Sequence, residues 1–172
     1  MPKVVELRRH TDNDGDVLSE DGIRAALEIG RSLGGYDVVV SSGAQRATQA
    51  AGCFLAMITT PVAGGVVVDA RLRSDAEDRW RKAYESGGGG DLQSFRRADP
   101  ELVESESRLF GRALRDIFES LPQGGRALVV GHSPMQEAAV FGLTGRVVEP
   151  LSKGAGVLLE QRDDGDYDVT PC

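Results

Sequence analysis

Four short apolar runs, rich in β-branched residues, alternate with segments of helical periodicity, and this alternation limits the folds open to the chain. The runs extend from Val4 to Leu7, from Tyr36 to Val40, from Gly64 to Asp69 and from Ala127 to Gly131. Strands that alternate with helices in this way predict an α/β fold, in which a mainly parallel central sheet carries helices on both faces as a three-layer sandwich. Ligands of such sheets bind beyond the carboxyl ends of the strands, so the residues that follow each run are the first candidates for a site.

The segments between the runs carry signals for helix boundaries. Ser19 is a good N-cap for a helix whose apolar residues recur at helical spacing as far as Leu33. Asp99 as N-cap and Pro100 at the first helical position predict a long apolar-striped helix that ends before Pro122. Further predicted elements are a helix from Ala47 to Ile58, a helix started by a capping box from Ser133 to Gln136, and a terminal hairpin of Val157–Gln161 with Tyr167–Val169.

One long segment breaks the alternation. Residues 71–97 are highly charged and contain the glycine run 87–90, so we interpret them as a partly helical excursion over the rim of the sheet. Trp80 and Tyr84 within it would line a substrate pocket or pack the excursion onto the domain, and packing is the preferred interpretation. With this excursion included, residues 1–172 are predicted to form a single domain.

The only two histidines of the chain both follow predicted strands. His10 comes after the first run and His132 after the last, so both imidazoles are expected at the same edge of the sheet. Arg9 precedes His10 directly, and Arg46 lies near the start of the helix that follows Ser41-Ser42. Alternation along the strand should direct Arg8 away from Arg9, which leaves Arg8 outside the predicted site.

These residue types suit phosphoryl transfer. A neutral imidazole can attack phosphorus, and the unperturbed pKa of about 6.5 keeps much of a histidine neutral near pH 7. Guanidinium groups donate paired hydrogen bonds to the charged oxygens of the transferred group. Helix N-termini such as those near Arg46 and after His132 also favour anions.

Four motifs in the same order resemble those of the histidine phosphatase superfamily, whose fold is phosphoglycerate-mutase-like. They are Arg9-His10-Thr11, Leu18-Ser19-Glu20-Asp21-Gly22, the run from Ser42 to Ala51, and Val129-Val130-Gly131-His132-Ser133. The resemblance implies that His10 is the phosphorylated nucleophile and that Arg9, Arg46 and His132 hold the phosphoryl group, with Thr11 also in the substrate pocket. The short chain and the ending Gly131-His132-Ser133-Pro134 look closest to the compact, phosphohistidine-phosphatase-like branch.

The sequence departs from the family pattern at two places. Thr11 replaces the usual small residue after the nucleophile, and Asp12 replaces the common glutamate. Many members place a glutamate after the third strand as general acid, where this chain has Ser74. Asp75, Glu77 or Asp78 would serve after a small shift; if none does, leaving groups that need no proton, such as phosphorylated imidazole, are favoured.

Composition limits the partners and the location. A net charge of −7 argues against nucleic acid or an anionic membrane as the main partner. The chain has no apolar run of membrane-spanning length and no signal-peptide pattern, and Cys53 and Cys172 are far apart, so we expect a cytoplasmic protein with free thiols. The acidic loop from Asp12 to Asp16 lacks calcium-loop spacing and is interpreted as a solvated turn. No metal and no cofactor are predicted.

The expected function is therefore hydrolysis of phosphate monoesters or related phosphorylated groups through a phosphohistidine on His10. The substrate would be a phosphorylated small molecule or a phosphoprotein. Three enzyme classes remain open: a broad phosphatase, a protein phosphohistidine phosphatase, and a mutase, which the short chain disfavours. From other classes, a non-catalytic phosphate- or phosphopeptide-binding module and a two-histidine metal site are the alternatives. The oligomeric state cannot be read from the sequence.

Overall fold

A computed structural model describes residues 1–172 and contains one large sheet, one small hairpin and six α-helices. The strands are β1 Val4–Arg9, β2 Asn13–Asp14, β3 Val17–Leu18, β4 Val38–Ser41, β5 Val66–Val68, β6 Arg126–Gly131, β7 Gly156–Gln161 and β8 Tyr167–Pro171. The helices are α1 Glu20–Ser32, α2 Gln45–Met57, α3 Glu77–Gly87, α4 Leu92–Ala98, α5 Pro100–Ser120 and α6 Met135–Thr144, with a 3-10 turn at Ala70–Leu72.

The large sheet has the strand order β5-β4-β6-β1-β7-β8. Its first four strands are parallel, whereas β7 and β8 are antiparallel and form the predicted terminal hairpin. The acidic loop after β1 folds as the separate hairpin β2–β3. The prediction of a mainly parallel sheet is confirmed, and the carboxyl ends of β1, β4 and β6 lie side by side at one edge.

Two apolar clusters cover the two faces of the sheet. The larger one joins inward-facing side chains of β1 and β6 to α3, α4, α5 and α6, with Phe110 and Phe118 among its fully buried members. The smaller one joins β4 and β6 to α1 and α2 around Phe54 and Tyr36. Helices therefore lie on both faces, as the alternation of elements predicts.

Most predicted helix boundaries are correct. The hydroxyl of Ser19 accepts the N–H of Gly22 at 3.0 Å, and the carboxylate of Asp99 accepts the N–H of Leu102 at 3.1 Å. The capping box predicted at Ser133 is wrong, because α6 begins at Met135 and the Ser133 hydroxyl donates instead to the side chain of Glu137.

The excursion is more regular than predicted, since it contains both α3 and α4. Trp80 and Phe95 are buried and pack edge to face with ring centroids 5.3 Å apart, so packing is confirmed for Trp80. Tyr84 packs only in part, because its ring lies 6.3 Å from that of Phe95 while the residue is 58% exposed. None of the helices has the length and apolar character needed to cross a membrane.

Candidate active site

Backbone hydrogen bonds lock three strand ends together. The N–H of His10 donates to the carbonyl of Gly131 at 3.1 Å, and the N–H of Ser42 donates to the carbonyl of Val130 at 3.1 Å. The rings of His10 and His132 consequently face each other edge to face, with centroids 5.4 Å apart. The structure thus brings together the two histidines that the strand pattern predicted at one edge.

His10 is held in one tautomer. Its Nδ1 lies 2.8 Å from the carbonyl oxygen of Thr11, and because a carbonyl can only accept, Nδ1 must carry the proton. The lone pair of Nε2 then faces the guanidinium of Arg46, whose Nε is 3.3 Å away. Burial lowers the pKa of His10 to about 4, and the charges of Arg46, Arg9 and Lys153 add to this effect against the opposing hydrogen bond to Thr11. His10 is therefore a neutral imidazole with its lone pair directed into the site.

His132 is also neutral. Burial, together with the neighbouring Arg46, lowers its pKa to about 3. Its Nε2 is 2.7 Å from the hydroxyl of Ser42, while its buried Nδ1 has no hydrogen-bond partner. An unpartnered buried ring nitrogen is costly in a resting site, and a ligand atom would satisfy it.

The two predicted arginines approach from different elements. Arg9 ends β1, and its Nη1 donates to the carbonyl of Leu151 at 2.8 Å, while its buried Nε has no partner. Arg46 lies in the first turn of α2, and besides facing His10 it donates through Nη1 to Asp16 at 2.9 Å. Arg8 points elsewhere, since it pairs with Glu6 at 2.6 Å, as the alternation along β1 predicts.

The hydroxyl of Thr11 forms its hydrogen bond within the protein and does not point into an open pocket. Its hydroxyl donates to the carbonyl of Gly22 at 2.7 Å, and the residue is 2% exposed, so its side chain has no hydrogen left for a ligand. Gly22 itself is required here, because a Cβ at this position would overlap the carbonyl oxygen of Asp12. The second motif therefore packs the start of α1 against the loop that carries His10.

Lys153 joins the site although its sequence context did not reveal it. It lies in the loop before β7, and the next residue, Gly154, donates its N–H to the carbonyls of Arg9 and His10 at 3.1 and 3.2 Å. Its Nζ pairs with Asp12 at 3.0 Å, and its charge contributes to the lowered pKa of His10. A lysine after a polar loop resembles any surface lysine, so only an assignment of the β1–β7 pairing would have located it.

A buried carboxylate supports the same region. Glu137 is 1% exposed, and its Oε1 accepts the hydroxyl of Ser133 and the N–H of Leu151, the latter at 2.8 Å. The carbonyl of Leu151 accepts a hydrogen bond from Arg9. Glu137 therefore connects the turn after His132, through Leu151, with the arginine at the end of β1. Burial raises the pKa of Glu137, and the hydrogen bonds and the charge of Arg9 oppose that shift.

None of the three carboxylates proposed as general acid contacts His10 or His132 directly. Ser74, at the place of the family glutamate, is buried and donates to Glu106 of α5. Asp75 lines a separate cavity between the 3-10 turn and α5, and Asp78 is exposed and pairs with Arg81. Glu77 is connected to the site, because it pairs at 3.0 Å with Arg73, whose charge contributes to the lowered pKa of His132.

The arrangement is a set of cations around two neutral imidazoles. Four positive side chains lower the pKa of one or both histidines, namely Arg9, Arg46, Arg73 and Lys153. All of them except Arg9 also form an ion pair with a carboxylate. No group of three or more His, Cys, Asp or Glu side chains has the arrangement of a metal site. The centre can thus accept a dianion and present a nitrogen nucleophile to it.

Comparisons with solved structures define the fold. YhfR of Bacillus stearothermophilus superimposes with a TM-score of 0.72 at 15% identity, over 98% of this chain and 96% of that chain. A phosphoserine phosphatase of Entamoeba histolytica gives 0.69 at 17% identity, over 98% and 95%. The protein histidine phosphatase SixA, solved with tungstate, gives 0.63 at 16% identity, over 97% and 94%.

The chain therefore has the phosphoglycerate-mutase-like fold of the histidine phosphatases, and the resemblance drawn from its four motifs is confirmed at the level of the fold. No protein-family model and no curated protein matches the sequence.

Proposed function

We propose that the chain is a metal-independent phosphatase that hydrolyses phosphate monoesters or related phosphorylated groups through a phosphohistidine on His10. The observation that carries the proposal is the state of His10. Its Nδ1–H is fixed by the Thr11 carbonyl, and its unprotonated Nε2 faces the guanidinium of Arg46. A nucleophile for phosphorus needs this free lone pair, together with cations that neutralise the approaching dianion.

In the first step, Nε2 of His10 attacks phosphorus while the bond to the leaving atom breaks, and the leaving group departs with the electron pair. Arg9 and Arg46 bind the equatorial oxygens, whose charge spreads in the transition state. In this mechanism His132 is the Nδ1–H tautomer: its Nε2 accepts the Ser42 hydroxyl, which lies 2.7 Å away, and its Nδ1–H donates a hydrogen bond to a phosphoryl oxygen.

In the second step, a water molecule attacks the phosphorus, the P–N bond breaks and the electron pair returns to Nε2 of His10. Inorganic phosphate then leaves, and the lone pair faces Arg46 again. The low pKa of His10, about 4, favours this return to the neutral form at neutral pH.

The mechanism predicts an adduct that can be trapped. Brief exposure to a labelled phosphate monoester should give an acid-labile, base-stable phosphoryl group on His10. The His132→Asn variant should still form this adduct while turning over slowly, whereas His10→Ala should form none. Full turnover of an aryl phosphate by His10→Ala would exclude the mechanism, and loss of activity in a chelator would exclude metal independence.

The physiological substrate is open between two classes. The structural relatives include a phosphoserine phosphatase and the protein histidine phosphatase SixA, so a phosphorylated small molecule and a phosphohistidine protein are both candidates. Ser74 in place of a glutamate favours a leaving group that needs no proton. Turnover of sugar phosphates, phosphoamino acids and a phosphohistidine peptide, compared at equal concentration, would distinguish them.

One alternative function is a module that binds phosphate or phosphopeptides without turnover, favoured by the missing glutamate. Calorimetric phosphate binding by a protein that neither forms the adduct nor turns over any substrate would support it. The cytoplasmic location, the single-domain organisation and the absence of nucleic-acid and membrane partners stay predictions from composition.

A further inference from the structure

A cavity of about 360 Å³ adjoins the proposed phosphate site and is used by neither half of the mechanism. Arg9 and Ser133 line it from the proposed phosphate site and the turn after His132. Tyr84 of α3 and Phe95 of α4 line it from the excursion, and Leu151 is also part of the lining. Because Arg9 belongs to the site, the cavity is the space into which the non-phosphate part of a substrate would extend.

The lining contains few charged groups. Arg9 is its only charged side chain, and no carboxylate lines it. The hydroxyl of Ser133 is already donated to Glu137, so it has no proton left for a ligand. With Arg9 committed to the phosphoryl group, the cavity offers no further charged side chain to the rest of a substrate.

The excursion offers an aromatic face instead. Tyr84 is 58% exposed, whereas its neighbour Phe95 is 4% exposed, and the two ring centroids are 6.3 Å apart. The buried ring of Phe95 thus packs against the ring of Tyr84, and the Tyr84 ring stays exposed towards the cavity. A flat aromatic group would stack on this ring and bury apolar surface that is otherwise in water.

The chemistry of departure agrees with this shape. With Ser74 bonded to Glu106, the leaving atom has no assigned proton donor, so a good leaving group must depart as an anion. A phenol has a pKa of about 10, far below that of water at about 15.7, which makes an aryloxide a much better leaving group than an alkoxide. When Nε2 of His10 bonds to phosphorus, the aryloxide takes the electron pair of the broken P–O bond and is protonated by water.

We propose, on the basis of the proposed phosphatase function, that this cavity is a leaving-group subsite for a phosphorylated phenol ring stacked on Tyr84. The same ring is found in small aryl phosphates and in phosphotyrosine peptides. A comparison of phenyl phosphate with a phosphotyrosine peptide distinguishes these sources, because only the peptide extends beyond the cavity.

Inhibition by phosphonates tests the subsite apart from the chemical step, because a phosphonate carries no leaving oxygen. Phenylphosphonate should bind the wild type at least about tenfold more tightly than methylphosphonate, and this ratio should fall towards one in Tyr84→Ser. Leu109→Ser is the matched control, since Leu109 is an exposed apolar residue outside the cavity.

Equal inhibition by the two phosphonates, or an unchanged ratio in Tyr84→Ser, would overturn the subsite while leaving the phosphatase function in place. Absence of turnover and of adduct with every phosphate ester would instead overturn the proposed function. Circular dichroism of Tyr84→Ser shows whether a lost ratio reflects the ring or a misfolded chain.

Discussion

The site at the strand ends and the excursion over residues 71–97 differ in how they are built. At the strand ends, His10 and Ser42 are placed by backbone hydrogen bonds to β6, and His132 directly follows the last residue of that strand. The excursion instead rests on side-chain packing, in which the buried Trp80 of α3 contacts the buried Phe95 of α4. The first region holds the groups proposed for phosphoryl transfer, and the second supplies the wall beside the leaving group.

This division teaches that the proposed reaction and its selectivity are separable in this fold. Changes at the strand ends should affect every substrate alike, because all substrates share the phosphoryl group. Changes in the excursion should affect substrates differently and leave the common step intact. Four predictions test this separation, beginning with the largest effect.

Removal of a strand-end cation should have the largest effect. Arg46→Ala deletes the guanidinium that faces Nε2 of His10, and we expect kcat/KM to fall by about 10²–10³-fold for every substrate, as for other transition-state donors. Arg81→Ala in α3 is the control, since Arg81 is exposed and pairs only with Asp78. A loss that depends strongly on the leaving group would contradict the separation.

Acid should lower the free energy of unfolding through groups of the strand-end region, because both histidines of the chain lie there. Their folded pKa values of about 4 and about 3 lie below the ordinary 6.5, so the unfolded chain binds more protons in this window. Their contribution is complete above pH 6.5 and is lost as the pH falls through about 4 for His10 and about 3 for His132. Urea unfolding at pH 7 and pH 4.5 measures it, and His10→Asn should flatten the dependence.

The contact between α1 and the His10 loop should tolerate no added methyl group. Gly22→Ala would push against the carbonyl of Asp12 and cost about 1–3 kcal/mol of unfolding free energy, together with activity towards all substrates. Gly52→Ala in α2 is the matched control, because a Cβ there meets nothing and should stabilise the helix slightly. Equal thermal midpoints for the two variants would refute this account of the motif.

The excursion carboxylates should have the smallest effect. Glu77→Gln breaks only an exposed ion pair with Arg73, and we expect kcat/KM to change by less than about threefold. Asp75→Asn and Asp78→Asn should behave alike. A decrease of about 10²-fold or more for alkyl phosphates in one variant alone would identify that carboxylate as the proton donor.

The strand-end region was largely predictable from the sequence because local signals and parallel topology determine it. The apolar run before His10, the serines before Arg46 and the run before His132 place these residues at one edge without any knowledge of side-chain contacts. The cap at Ser19 follows from the same local rules.

The remaining parts depend on long-range packing that no local pattern encodes. Glu137 lies inside a helix, where a glutamate usually faces water, yet it is buried because Ser133 and Leu151 supply its hydrogen bonds. Lys153 reaches the site only because the loop before β7 returns to β1. The position of Tyr84 depends on how α3 rests on α4, which its charged sequence does not reveal.

The ion pair between Arg46 and Asp16 has a consequence for the release of product. Arg46 already holds the carboxylate of Asp16 at 2.9 Å. The free energy that a phosphate ion gains by binding Arg46 is therefore reduced by the free energy of the Asp16 contact that it displaces. If the proposed hydrolysis takes place, Asp16 competes with the product for the same guanidinium, and we expect this competition to favour release of inorganic phosphate.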